Sequence, residues 1–229
     1  MIGSQALAGQ PKSEEFQSGG ETVGVEIYGP ESSRYPVIVL HGAGGMMFDG
    51  AQVKSVALTL AEAGMTSYVV SYFDRTNTWF VMGDRGLIKG FPTWAEVVDD
   101  AVTWVVERSG GRPVGIYGYS LGGFLAVATA SGDDRVAAAV THSGGIWKKF
   151  EKVDARLPPI LVVHGKGDER VYFDENTDKI RAVADEHGSV MRTMYFANEG
   201  HRFSDTAMAR VRERTRSFLG EVLRSGEAR

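Results

Sequence analysis

Two runs of the chain, Val37-Ile-Val-Leu40 and Ile160-Leu-Val-Val163, are apolar at every position rather than at every second one. A strand with one buried face alternates apolar and polar residues. A strand with no polar position has both faces covered, the condition of a parallel sheet between helices. Four further short runs, Ser67 to Ser71, Val114 to Tyr117, Val136 to Thr141 and Val190 to Phe196, have strand length and are bounded by Gly, Pro or polar residues. Amphipathic stretches lie between them. Ala51 to Ala63 stops at Gly64, a residue suited to a helix C-terminus. Thr93 to Arg108 follows Pro92 and carries Glu96 three residues on, the spacing of a capping box. Leu121 to Ser131, Asp174 to His187 and Thr206 to Leu223 complete the helices. Strand alternating with helix predicts an α/β class, with a mostly parallel central sheet and helices on both faces. Thr22 to Ile27 is expected to add an antiparallel edge strand. Residues 1–20 read as a peripheral N-terminal segment of one domain spanning the 229 residues.

Composition narrows the chemistry. The formal net charge of −4 gives no basic face for nucleic acid or an anionic membrane, so neither is expected as a partner. No apolar run reaches the roughly 18 to 20 residues needed to cross a bilayer. The chain has no cysteine, which removes disulfides, thiolate metal sites and a thiol nucleophile. Met1 to Gln10 hold no cationic segment followed by an apolar one, so a cytoplasmic location is the default expectation, a trimmed signal peptide leaving no trace.

The strongest motif is Gly118-x-Ser120-x-Gly122, set between the strand-like Val-Gly-Ile-Tyr and the small-residue helix pattern Leu-Gly-Gly-Phe-Leu-Ala-Val-Ala-Thr-Ala-Ser. A serine on a sharp strand-to-helix turn needs glycine two residues to either side, because strand and helix approach closely there. The turn lifts the hydroxyl out of the sheet and aims a helix N-terminus at developing negative charge. Ser120 is therefore the candidate nucleophile. Of five histidines, only His201, in Asn198-Glu-Gly-His-Arg-Phe203, lies after the last strand, where the chain order nucleophile, acid, histidine requires the base. Asp168, following Ile160 to Val163, is the candidate orienting acid, with Glu169 and Asp174 as rivals. The oxyanion hole is expected from the N–H groups of Leu121 and of Ala43, with Gly44 the alternative, in the loop His41-Gly-Ala-Gly-Gly45. His41 itself reads as a buried structural histidine. No cofactor and no metal are required.

These segments resemble a known family. Val37-Ile-Val-Leu-His-Gly-Ala-Gly-Gly45, Ser71-Tyr-Phe-Asp-Arg-Thr76, Gly118-Tyr-Ser-Leu-Gly-Gly123, Leu157-Pro-Pro-Ile-Leu-Val-Val-His-Gly-Lys-Gly-Asp168 and Gly200-His-Arg-Phe203 look like the dienelactone hydrolase-like members of the α/β-hydrolase superfamily. The resemblance covers the chain from about residue 22 onward. It implies an α/β-hydrolase fold. The enzymes that name the family carry a cysteine nucleophile, whereas this chain has Ser120. That departure favours general carboxylesterase chemistry, as in the serine-bearing relatives.

Only 16 or so residues, His142 to Leu157, separate two strands, which leaves no room for a large cap. The longer stretch Asp74 to Pro92 is expected to be irregular and to supply Trp79 and Phe80 to an apolar pocket, joined by Trp147 and Phe203. The expected partner is a small-molecule ester, with a monomer and a homodimer equally open. Thioesterase or lactone hydrolysis by the same triad is the alternative chemistry. A catalytically silent scaffold that binds ligands is the alternative of another kind.

Overall fold

The uninterrupted apolar runs form the middle of a sheet. The computed structural model describes residues 10–31, 33–147 and 156–225. Its strands are β1 (Lys12–Ser18), β2 (Glu21–Tyr28), β3 (Pro36–Leu40), β4 (Thr66–Val70), β5 (Val114–Tyr119), β6 (Val136–His142), β7 (Ile160–Gly165) and β8 (Met191–Phe196). They lie in one sheet in the order β1-β2-β4-β3-β5-β6-β7-β8. From β4 to β8 every pairing is parallel, while β1 and β2 join antiparallel at one end. The helices are α1 (Gly45–Phe48), α2 (Gly50–Glu62), α3 (Asp84–Arg108), α4 (Leu121–Ala130), α5 (Phe173–Glu186) and α6 (Asp205–Ser225).

Side-chain alternation now accounts for the apolar runs. Ile38, Leu40, Ile116 and Val162 join a core under α3, α4 and α5. Val37, Val39, Tyr117, Leu161 and Val163 join a second core under α2 and α6. Each apolar neighbour along β3 and β7 thus has its own layer, and burying one such side chain contributes about 1.5 to 3 kcal/mol.

Three expectations are corrected. Residues 12–18 of the supposed peripheral segment are the edge strand β1, so β2 lies one place inside the edge. Phe16 is buried there and stacks on Trp104 of α3, while Glu14 pairs with Arg108. Helix α3 begins at Asp84 and contains Pro92, so Thr93 is no N-terminal cap, and Glu96 instead pairs with Arg75. Packing holds the extra turns: Phe91 is buried and meets Trp147 at 5.1 Å. The stretch 74–92 is accordingly a short 3-10 turn, a loop and the first turns of a helix rather than one irregular segment. Among the described residues, no helix is long and apolar enough to cross a membrane.

The topology itself marks a place. From β3 the chain moves to one side to form β4, then returns across β3 to form β5 on the other. Loops leaving the carboxyl ends of β3 and β5 therefore diverge, and a crevice opens between them. Ala43 follows β3 and Ser120 follows β5.

Candidate active site

Ser120 occupies the turn between β5 and α4 with φ 52° and ψ −118°, a strained conformation for a residue with a side chain. The turn is held from several directions. The Ser120 N–H donates to His142 O at 2.8 Å, and Ser120 O accepts from the Gly123 N–H at 2.8 Å. A Cβ at Gly118 would lie 1.9 Å from Gly122 O, and one at Gly122 would lie 2.4 Å from His41 O. Glycine is thus demanded at both flanking positions by backbone already in place.

His201 and Asp168 reach the same point from other strands. The Ser120 hydroxyl lies 2.9 Å from His201 Nε2, and His201 Nδ1 lies 2.8 Å from Asp168 Oδ2. A carboxylate only accepts, so Nδ1 carries the proton and Nε2 presents its lone pair to the serine. Tyr119 OH donates to His201 O at 3.1 Å, which fixes the loop after β8 against the elbow. Asp168 Oδ1 accepts from the N–H groups of Arg170 and Val171, each at 2.9 Å. Oδ2 also meets His164 Nε2 at 3.2 Å, a group that in addition faces Val171 O at 2.9 Å. Burial alone would raise the Asp168 pKa. Hydrogen bonds from His164, His201 and the Val171 N–H outweigh it and hold the carboxyl well below the ordinary range. Asp168 is thus a fixed anion. Glu169 and Asp174 are both exposed and take no part in this chain of bonds.

Facing Ser120 is the loop after β3. Gly44 N–H already donates to Asp49 Oδ2 at 2.9 Å, so the alternative donor expected from the sequence is occupied. Asp49 is itself buried and paired with Arg202. The N–H groups of Ala43 and Leu121 have no hydrogen-bond acceptor among the described residues, and both residues line the cavity over Ser120. His41 anchors the loop: it is fully buried, its Nδ1 meets Gly42 O at 2.8 Å, and its ring stacks on Tyr72 at 4.0 Å. Burial lowers its pKa to about 4, against a smaller opposing effect of that backbone bond, so the ring is neutral at pH 7. His142, beneath the site, is likewise neutral, lowered to about 3 by burial and by the neighbouring His164 and His201.

The cavity has a volume of about 390 Å³, enough for a small ligand. Its inner wall is Leu121, Phe124, Trp147 and Asn176, and its mouth carries Leu87, Ile88, Val171 and Tyr172 with Asp84, Arg170, Glu175 and Lys179. Of the four aromatic residues expected in the pocket, only Trp147 lines it. Trp79 and Phe80 are exposed elsewhere, because α3 starts early and carries Leu87 and Ile88 to the mouth in their place. Phe203 packs instead on His142 and Phe196, at 4.6 and 4.9 Å. The sequence reading missed Leu87, Phe124, Val171, Tyr172 and Asn176. Asn176 and Val171 carried a faint signal, since both follow Asp168 closely. Among the described residues no cluster of His, Asp or Glu is arranged to hold a metal ion.

The fold is shared with known proteins. A family model described as the dienelactone hydrolase family matches residues 23–220. The chain is similar in structure to a dienelactone hydrolase from Anabaena variabilis, with a TM-score of 0.71 at 17% identity, over 93% of this chain and 99% of that one. A dienelactone hydrolase-like promiscuous phosphotriesterase from metagenomic libraries gives 0.73 at 18% identity, over 93% and 98%. An α/β serine hydrolase without lid from Xanthomonas campestris gives 0.67 at 16% identity, over 96% of each chain.

Proposed function

The chain belongs to the dienelactone hydrolase family, and from that premise we propose that it cleaves small carboxylic esters through an acyl-enzyme on Ser120. The observation that carries this reading is the unbroken hydrogen-bonded chain Ser120–His201–Asp168, at 2.9 and 2.8 Å, beside two free backbone donors. His201 Nε2 takes the hydroxyl proton as Oγ attacks the ester carbonyl, and the fixed charge of Asp168 stabilises the imidazolium that forms. The new oxyanion lies between the Ala43 and Leu121 N–H groups, whose dipoles are already oriented and need no rearrangement. Collapse of the tetrahedral intermediate expels the alcohol, protonated by His201. A water molecule deprotonated by His201 then attacks the acyl-enzyme and releases the acid. The apolar inner wall of Leu121, Phe124 and Trp147 suits a short or compact acyl group. A lactone is an internal ester and would follow the same course, which keeps lactone hydrolysis within this reading.

The test is hydrolysis of p-nitrophenyl esters from acetate to decanoate by the wild-type chain and by Ser120→Ala. We expect activity on the short esters to fall by about 10⁵ to 10⁶ in kcat in the variant. Equal activity in both would reject Ser120 as nucleophile, and inactivity of both would reject ester hydrolysis on these substrates.

A further inference from the structure

Large apolar side chains are unevenly spread over the surface. Met47, Phe48, Trp79, Phe80, Met82 and Ile88, between 40% and 82% exposed, are six of the eight exposed large hydrophobics among the described residues. They come from two stretches that the structure ties into one surface. The Phe48 and Phe80 rings meet edge to face at 5.8 Å. The Val81 N–H donates to Ala43 O at 2.8 Å. A Cβ at Gly45 would lie 2.0 Å from Trp79 O, so the two backbones touch. The surface is also continuous with the candidate active site, because Ala43 and Ile88 line the cavity over Ser120.

Charge identifies the kind of partner. Residues 42–48 and 76–83 contain no Asp, Glu, Lys or Arg, in a chain that is 24% charged, and Asp84, Arg85 and Lys89 enter only beside Ile88. Large apolar side chains exposed together in one place, unlike ones scattered singly, mark an interaction surface. Its basic residues, Arg85 and Lys89, lie only at the Ile88 end, and a net charge of −4 opposes an anionic bilayer. A second copy seated there would cover the mouth of the cavity that admits substrate. A condensed phase of the substrate itself has neither conflict. It is uncharged and apolar, and it must approach that mouth. We propose that this surface docks the protein onto droplets of water-insoluble, uncharged esters, from which single molecules enter the cavity. The inference rests on the reading of the cavity as an ester site. With about 390 Å³ to fill, the cavity takes one acyl group while the rest of a larger ester stays in the droplet. Trp79 and Phe80, which do not line the pocket, act as anchors, since aromatic side chains suit an apolar boundary with water.

Flotation separates the two claims. Ser120→Ala protein, which leaves the droplets intact, is mixed with emulsified tributyrin and spun so that bound protein rises with the droplets. We expect it to float, and Met47→Ser/Met82→Ser in the same background to need at least about tenfold more emulsion for half-binding. The same double substitution in the active chain should leave kcat/KM on dissolved p-nitrophenyl acetate within about twofold, showing that the fold and the site are intact. Protein that stays in solution, or a double variant that floats as well as its parent, overturns the proposal. So does light scattering that shows a dimer dispersed by the double substitution, since a second copy would then own the surface. Flotation as expected, in a chain inert on every dissolved ester, would support the docking surface and reject the ester reading instead.

Discussion

The two sides of Ser120 are built on opposite principles. On one side lie the loop after β3, the elbow itself and the loops carrying Asp168 and His201. Here His41, His142, His164 and Asp49 are buried, and backbone presses on Gly118 and Gly122 so closely that no Cβ fits. On the other side lies the mouth, where Ile88, Arg170 and Tyr172 are exposed. In the proposed reading the first side holds the reacting groups, and the fold over-determines their positions. The second side meets whatever arrives, and few contacts hold its members in place. Chemistry is therefore expected to be intolerant of change and selectivity tolerant of it.

After Ser120 itself, the largest effect should come from the fixed anion. Asp168→Asn keeps the shape but offers an amide where His201 Nδ1–H needs an acceptor, and kcat should fall by about 10⁴. A loss below tenfold would mean that His164 or another group orients His201, and the buried side would be less determined than argued. Next comes the loop after β3, proposed to supply an oxyanion donor. A Cβ at Gly42 would stand 2.6 Å from Asp49 Oδ2 and 3.1 Å from Ser120 Cβ. Gly42→Ala should move the Ala43 N–H and cost about 10² to 10³ in kcat, with KM changed far less. Thermal melting run beside the kinetics checks that the fold survives.

The same buried side should betray itself in acid. His41 and His142, lowered to about 4 and about 3, stay neutral when folded, whereas in the unfolded chain they bind protons below about 6.5. Their contribution to stability is whole above about pH 6.5 and is lost as pH falls toward 4, together by about 2 to 3 kcal/mol per pH unit. Urea unfolding midpoints from pH 7.5 to 4.5 measure this, and a flat profile would contradict the neutral, buried state. Smallest of all should be changes at the mouth. Ile88→Ser and Arg170→Ala should shift KM or the preference among acyl chains by less than about tenfold, leaving kcat on the acetate ester nearly unchanged. A hundredfold loss of kcat in either would erase the distinction between the two sides.

The same contrast explains what could be read from the chain alone. Gly118, Ser120 and Gly122 announce themselves because one sharp turn sets their identities within five residues. His201 and Asp168 follow from chain order along a sheet whose double burial is written in Val37 to Leu40 and Ile160 to Val163. Distant packing hid the rest. The strand Lys12–Ser18 has one large apolar side chain, Phe16, and its other positions are polar, so no alternation betrayed it. Charged edge strands resist pairing with other chains, and that makes them look like loops. Pro92 masked eight residues of α3, whose helical state depends on Phe91 meeting Trp147. The length of the stretch Asp74 to Pro92 points Trp79 and Phe80 to the pocket, but the early start of α3 gives that place to Leu87 and Ile88. The second histidine on Asp168, His164, gave no sign in the sequence, because a contact made four residues away across a turn has no fixed spacing rule.

If Ser120 is an activated nucleophile, it should be captured covalently. The wild-type chain is incubated with a fluorophosphonate, then digested, and the peptide carrying residue 120 is weighed by mass spectrometry. One adduct per chain is expected, on Ser120, formed quickly in the wild type and slowed by at least about 10³ in His201→Ala, because the hydroxyl is a weak nucleophile without its base. An adduct on another residue, or labelling of Ser120 at the same rate without His201, would contradict that expectation.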